Sequence, residues 1–87
     1  MNYTIQYKRS ASEELLALPE TQARKILSSI NRLAEEPRPH GSKKLKGSNN
    51  VYRLRIGNYR VIYTITDQIL IVTIIKIGHR KSVYRNH

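Results

Sequence analysis

Three arginines lie in a stretch of the chain, VYRLRIGNYRVIY at 51–63, that has the spacing of two β-strands. Apolar residues alternate with polar ones on both sides of a Gly-Asn pair, which has turn chemistry. Because successive strand side chains point to opposite faces, Arg53, Arg55 and Arg60 lie opposite the apolar residues beside them. Pairing the two runs as a hairpin would bring the three arginines onto one surface. The sequence leaves the register open, so this grouping is a prediction.

The second half of the chain carries the whole excess of positive charge. Of the 87 residues, those from 38 to 87 include eleven Lys and Arg and one acid, Asp67, whereas residues 1–37 hold five bases and five acids, so the formal net charge of +10 is eleven minus one. This asymmetry favours a nucleic-acid partner. The more common explanation of such arginines is the solvated face of a half-buried antiparallel sheet. The lack of nearby acid favours the functional interpretation.

Cleavage of a phosphodiester is the reaction that these groups could support. Arginines and lysines bind phosphate oxygens and stabilise the extra negative charge of the transition state. RNA carries its own nucleophile, the 2′-hydroxyl, so such a site could cut RNA without a metal or a catalytic carboxylate. Arginine stays protonated and serves only as a clamp, whereas a histidine titrates near neutral pH. His79 is therefore the candidate acid or base, although a surface histidine at a strand end is an equally simple interpretation.

Other chemistries find little support in the sequence. The histidines His40, His79 and His87 lack the spacing of metal ligands, so we expect no metal and no other cofactor. Paired-carboxylate catalysis is excluded because Asp67 is the only acid after Glu36, and no phosphate-binding P-loop motif is present. The chain has no cysteine, no apolar run at its start and no run long enough to span a bilayer. We expect one domain, residues 1–87, in the cytoplasm.

The first half predicts one strand and two helices. Apolar residues alternate over 3–7 as in a half-buried strand. The serine and glutamate at 10 and 13 fit a capping box at the start of a helix over 11–18. A second helix over 21–35 has one apolar stripe. Its members are Ala23, Ile26, Leu27, Ile30, Leu33 and Ala34.

The second half predicts three strands, and the whole order is β-α-α-β-β-β. Residues 69–77 form an almost wholly apolar third strand that is central in the sheet and ends at Gly78. Tyr52, Tyr59 and Tyr63 alternate onto the apolar face and are expected in the core. The fold class is therefore α+β, an antiparallel-rich sheet with a helical hairpin on one face.

A polar loop, GSKKLKGSNN at 41–50, precedes the hairpin. Its glycines and serines predict a flexible segment, and its three lysines are Lys43, Lys44 and Lys46. Contact with phosphate and simple solvation explain these lysines equally well.

Three segments together resemble the RelE/ParE superfamily of bacterial and archaeal toxins. They are KKLKG, VYRLRIGNYRVIY and VTIIKIGHRKSVYR, in this order along the chain. The likeness is greatest to the RelE branch of ribosome-dependent mRNA endonucleases and covers nearly the whole chain. It implies the RelE-like microbial RNase-type fold, entry into the ribosomal A site, and cleavage of mRNA that leaves a 2′,3′-cyclic phosphate and a 5′-hydroxyl.

The resemblance also assigns site residues. Arg53 and Arg55 fall where RelE-type toxins carry two basic residues, often lysines, and Arg60 matches the arginine of a G-x-Y-R motif. Arg80 matches the arginine after a G-[HK] pair, and Tyr84 matches the tyrosine that stacks on an mRNA base near the cut. A lysine of this strand has been proposed as general base in the family, and arginine replaces it poorly, which makes histidine 79 and, less so, histidine 87 worth testing. Residues expected to bind RNA or the ribosome are Lys43, Lys44, Lys46, Lys81 and Arg85.

The expected partners are a cognate acidic antitoxin, the ribosome with its A-site rRNA, and mRNA. Operator DNA is expected only as a partner of the toxin–antitoxin complex, and no membrane is expected. Two other functions stay open at this point. One is a ParE-like toxin of the same fold that inhibits DNA gyrase and cuts nothing, and the other is a small basic nucleic-acid-binding module for which the net charge would suffice.

Overall fold

One mixed β-sheet of five strands organises the computed structural model, which describes residues 2–79. The strands are β1 (Thr4–Tyr7), β2 (Ser42–Lys44), β3 (Val51–Ile56), β4 (Tyr59–Thr66) and β5 (Ile71–His79). Their order across the sheet is β1-β5-β4-β3-β2. β1 runs parallel to β5, and the other neighbours are antiparallel. The strand predicted over 69–77 corresponds to β5, which lies inside the sheet between β1 and β4, as expected.

Two helices follow β1 and cover one face of this sheet. They are α1 (Arg9–Leu16) and α2 (Glu20–Arg32), with Pro19 at the N-cap of α2, where its missing N–H costs nothing. The predicted α+β class, with a helical hairpin on one face of an antiparallel-rich sheet, is therefore confirmed. No helix within residues 2–79 is long and apolar enough to cross a membrane.

The core lies between α2 and the central strands. Ile26 and Ile30 of α2 are fully buried, and they join one cluster with Val61 and Tyr63 of β4 and Ile74 of β5. Burial of each such side chain contributes about 1.5–3 kcal/mol. The other two predicted core tyrosines, at 52 and 59, pack against this cluster and are partly buried.

Two predictions about the helices were wrong. Leu27, placed in the apolar stripe, is 40% exposed because it lies beside the buried row of α2 rather than on it. The capping box was wrong as well, since α1 begins at Arg9 with Lys8 as its N-cap and no side-chain cap. The Lys8 N–H donates to the Ile74 carbonyl of β5 at 2.8 Å, while the Lys8 carbonyl accepts from the Ala11 N–H at 2.9 Å. The last sheet bond and the first helix bond thus share one residue, and the helix starts earlier than the serine.

Two predictions about the strands were also wrong. The loop over 41–50 contains β2, whose three residues pair with β3 from Ser42 opposite Leu54 to Lys44 opposite Tyr52. Gly78 does not end β5, which continues to His79.

A polar cluster joins the segment after α2 to the turn between β4 and β5. Arg38 Nη2 donates to Asp67 Oδ2 at 2.8 Å, and the Tyr3 hydroxyl donates to Asp67 Oδ1 at 2.6 Å. The Arg38 guanidinium also lies over the Tyr52 ring, 5.3 Å from its centroid. Arg38 and then Tyr3 hold the pKa of Asp67 below its usual value, because both bond to the ionised carboxylate. This cluster fixes the chain just before it enters β2.

Candidate nucleic-acid interface

The register of the β3–β4 hairpin places the three central arginines on one face of the sheet. Arg55 stands directly opposite Arg60, and Arg53 stands directly opposite Ile62. Residues opposite each other in an antiparallel pair point to the same side, so these side chains share the face away from the helices. Leu54, by contrast, is buried on the helix side. The predicted grouping of the arginines is confirmed.

Neighbouring strands extend this basic surface in both directions. Lys43 of β2 pairs with Arg53, and Lys76 of β5 pairs with Ile62. We call the five cations on this side the basic face. Its members are Lys43, Arg53, Arg55, Arg60 and Lys76. No acid occurs in β2, β3, β4 or β5, so any carboxylate near the face must come from another element.

The arginines of the basic face differ in exposure. Arg55 is exposed, Arg53 is partly buried, and Arg60 is only 5% exposed in the central strand β4. Cations in a buried position interact more strongly with an anion, because the effective dielectric constant is lower there. The geometry therefore combines one fixed, desolvated guanidinium with a second one at the surface.

Lys76 is a member of the basic face that was not among the site residues predicted from the sequence. Its ammonium lies 3.1 Å from Glu14 Oε2 of α1, and the other carboxylate oxygen of Glu14 accepts the Ile77 N–H at 2.9 Å. Glu14 thus caps the edge of β5 beyond the point where β1 ends. Its charge neutralises that of Lys76, so Lys76 contributes little to the field of this face. An interruption of an apolar run by a lysine was the available sequence signal.

His79 does not join the basic face. It pairs with Tyr59, while Gly78 pairs with Arg60, so alternation puts the imidazole on the side of the helices. The His79 and Tyr59 rings pack edge to face, with centroids 5.8 Å apart. The geometry separates the candidate base from the arginines by the thickness of the strand.

The remaining predicted residues are placed as follows. Lys44 pairs with Tyr52 and so alternates away from the basic face, and Lys46 lies in the turn after β2, exposed. Four predicted residues lie outside the described residues: Arg80, Lys81, Tyr84 and Arg85. Within residues 2–79, no three His, Asp or Glu side chains come together as metal ligands would.

Comparisons with known proteins agree on one family of toxins. The sequence model of the ParE toxin of type II toxin–antitoxin systems matches residues 5–84. A protein named RelE1 from Methanocaldococcus jannaschii is 34% identical over 89 residues, covering 99% of each chain. Toxin RelG of Mycobacterium tuberculosis is 28% identical over 86 residues, covering 98% of this chain and 99% of its own.

Solved structures give the same result for the fold. In the archaeal RelE–RelB complex from Pyrococcus horikoshii OT3, one chain matches with a TM-score of 0.81 and 30% identity, covering 92% of this chain and 97% of that one. In the toxin–antitoxin complex RelBE2 from Mycobacterium tuberculosis, one chain matches with a TM-score of 0.80 and 27% identity, covering 92% and 100%.

Proposed function

This chain belongs to the RelE/ParE superfamily of toxins from type II toxin–antitoxin systems, and we propose that it is a ribosome-dependent endoribonuclease that cleaves mRNA in the A site. The observation that carries the proposal is the basic face. Four strands bring five cations together there, and the same strands hold no acid. Phosphate groups of RNA are the ligand that such a surface fits best.

In the proposed reaction the 2′-oxygen of one nucleotide attacks the adjacent phosphorus, and the bond from phosphorus to the 5′-oxygen breaks. The products are a 2′,3′-cyclic phosphate and a 5′-hydroxyl. A base takes the proton of the 2′-hydroxyl, and an acid gives one to the leaving 5′-oxygen. No water is consumed in this step, so the protein has only to position the RNA, move these protons and stabilise charge.

Arg60 is the group we assign to charge stabilisation. Its buried position holds the guanidinium before the substrate arrives, so no reorganisation is needed when charge develops on the phosphate oxygens. Arg53 and Arg55 would hold the RNA backbone beside it. Arg80 and Tyr84 keep the roles that the resemblance gives them, as a second clamp and as a stacking platform for a base.

Proton transfer needs groups other than these arginines, which stay protonated. Within residues 2–79, the basic face has neither a carboxylate nor an imidazole among its five members. We therefore assign proton transfer to the segment after residue 79 or to the ribosome. If the ribosome supplies the proton-transfer group, ribosome dependence has a physical reason, since the isolated domain would then lack part of its catalytic apparatus.

An antitoxin is the second proposed partner. The related structures from Pyrococcus horikoshii and Mycobacterium tuberculosis are complexes of a toxin with its antitoxin. A net charge of +10 would attract an acidic segment rapidly, and the attraction would weaken with salt. We propose that such a segment neutralises the basic face.

A second candidate function is favoured by the family description itself. The matching model is that of ParE toxins, and in this alternative the chain would inhibit DNA gyrase without cutting RNA. The two activities make opposite predictions in one assay, because only an endonuclease shortens mRNA.

Primer extension on a defined mRNA, with and without ribosomes, tests the proposal. We expect cleavage only on ribosomes, and a drop of roughly a hundredfold or more in the single-turnover rate for Arg60→Ala, about 2.7 kcal/mol. Arg9→Gln, which removes an exposed guanidinium of α1, is the matched control and should cut normally. Far-UV circular dichroism of Arg60→Ala would show that its loss is not unfolding. Intact mRNA in every lane, together with inhibited gyrase supercoiling, would instead support the alternative.

A further inference from the structure

A second basic surface lies on the helix layer, away from the basic face. The outer side of α2 and the end of β3 border a depression of about 450 Å³. It is lined by Arg24, Lys25, Ser28, Ser29, Arg32 and Ile56. We call the five residues on the helix the α2 patch.

The cations of the α2 patch are available to a ligand. Lys25 and Arg32 are exposed and form no ion pair with any of residues 2–79. Arg24 lies 3.6 Å from Glu20, but both side chains are 78% exposed. Such an exposed surface pair is weak and is easily exchanged for a stronger anion. The patch therefore offers three cations at little cost in lost internal contacts.

The spacing of these residues forms a continuous polar strip along the helix. Arg24, Ser28 and Arg32 recur every four residues, so they lie in one row, with Lys25 and Ser29 in the adjacent row. Two ends of such a row, eight residues apart, are separated by about 12 Å along the helix axis. Arg32 also stands in the last turn of α2, where the helix dipole favours a cation.

The chemistry of the lining points to a phosphodiester backbone rather than to a protein. Guanidinium, ammonium and hydroxyl groups are the donors that contact phosphate oxygens in nucleic-acid complexes. Protein interfaces of high affinity depend instead on aromatic residues and arginine in desolvated pockets at their centre, and they are depleted in lysine and serine, of which this lining has three. Ile56 is the one apolar side chain in the lining of this depression.

We propose that the α2 patch binds the phosphate backbone of structured RNA. This inference rests on the proposed function, in which that RNA is a ribosomal segment separate from the mRNA strand on the basic face. Ile56 borders the depression from the helix side of β3, while its neighbour Arg55 lies on the basic face. The same end of the hairpin thus has cations on both sides of the sheet, and two separate RNA segments can contact the domain at once.

The test compares two double variants that remove the same charges. Lys25→Gln with Arg32→Gln removes one lysine and one arginine from the α2 patch. Lys8→Gln with Arg9→Gln removes the same pair at the start of α1, where both side chains are exposed. Dissociation constants for an RNA hairpin and for ribosomes are measured over a series of salt concentrations. Urea denaturation of both variants checks that each is folded as well as the parent.

We expect the patch variant to bind both RNA probes more weakly, with an affinity that depends less steeply on salt concentration. Each phosphate contact contributes roughly 0.7 to 0.9 to the slope of log K against log salt concentration, so two lost contacts reduce its magnitude by about 1.4 to 1.8. The control variant should keep the parental slope. Equal losses in both variants would mean that only net charge matters, and this result would overturn the proposal.

Two further outcomes separate this inference from the proposed function. If the patch variant binds RNA normally but loses affinity for an acidic antitoxin segment, the patch is a protein contact and the inference is wrong. If the parent binds the hairpin with the expected slope difference between variants but leaves mRNA on ribosomes intact, the endonuclease proposal fails while the patch stands as an RNA-binding surface.

Discussion

Removing Arg55 should make the domain more stable and less active at the same time. Arg55 and Arg60 stand directly opposite each other in the hairpin, and like charges in that position repel. For charges roughly 7 Å apart, the dielectric constant of water gives a lower bound on this repulsion, because Arg60 is buried: about 0.6 kcal/mol without salt, about 0.3 kcal/mol at 0.1 M salt and below about 0.1 kcal/mol at 1 M salt. Arg55→Gln keeps a polar, unbranched side chain as far as Cδ and removes the charge, and with it this repulsion.

Urea is the denaturant for this measurement because it is uncharged and so does not add to the screening of the Arg55–Arg60 repulsion by salt. A gain of at least about 0.3 kcal/mol, with a slope of about 1.5 kcal/mol per molar, raises the urea midpoint by at least roughly 0.2 M at 0.1 M salt. Arg9→Gln is the matched control. Arg9 lies 3.7 Å from Glu13, so its removal should leave the midpoint unchanged or lower the stability by at most about 0.5 kcal/mol.

The opposite signs are what make the result informative. Removal of a cation that stabilises the fold should lower the urea midpoint, whereas removal of a cation that serves RNA binding at the expense of stability should raise it. The same Arg55→Gln protein should cleave mRNA more slowly in the ribosome assay. A lower midpoint for Arg55→Gln at 0.1 M salt, or a gain that persists unchanged at 1 M salt, would refute the electrostatic reasoning.

Three further predictions follow from burial, ion pairing and register. Ile30→Ala should cost about 2 to 5 kcal/mol in urea denaturation because Ile30 is fully buried, while Leu27→Ala, at a position 40% exposed, should cost at most about 1 kcal/mol; equal losses would contradict the packing of α2. Because Arg38 holds the pKa of Asp67 below its unfolded value, this ion pair stabilises the fold above about pH 4, and the stabilisation is lost as pH falls through the folded pKa. Asp67→Asn should therefore flatten the acid limb of the curve of stability against pH, and an unaltered limb would show that the pair is not involved. His79→Gln should leave the pH–rate profile of mRNA cleavage intact between pH 5.5 and 8.5, because the imidazole lies on the helix side of the sheet; a lost limb near pH 6 to 7 would restore it as the base.

The faces of β3 and β4 were predictable because two signals agreed there. A period of two placed apolar and charged residues on opposite sides, and the Gly-Asn pair allowed a connection of only two residues. Such a short connection leaves little freedom in register, so Arg55 had to face Arg60. Gly57 adopts φ of +59° in this turn, a conformation that residues with a Cβ rarely take.

β2 was missed because nothing in its own residues favours a strand. Its sequence, SKK, is short, polar and flanked by glycine-containing turns. The strand exists because the edge of β3 offers unpaired backbone groups, and because the Arg38–Asp67 cluster fixes the chain just before β2. Both causes lie outside the residues of β2 itself. The same is true of the start of α1, which is set by a hydrogen bond from Lys8 to β5 rather than by a local cap.

One β-bulge decides which residues of β5 lie on the basic face, and the alternation of apolar and polar residues in the sequence does not reveal it. Tyr63 pairs with Ile74, but the next residue, Ile62, pairs with Lys76, so Ile75 is an extra residue in β5. Unbroken pairing would have set Arg60 opposite Ile77 and Lys76 opposite Val61, which would bury the lysine on the helix side and place a bulky apolar side chain beside the arginine.

The bulge reverses both placements. Ile77 enters the core, and Gly78, which has no side chain, stands beside Arg60. One inserted residue therefore removes an apolar neighbour from the face where the buried guanidinium lies, and the same insertion turns His79 away from it. The position of the charge stabiliser and the separation of the imidazole from it have one common cause, and for this reason the proposed mechanism assigns charge stabilisation to Arg60 and proton transfer to groups beyond the sheet.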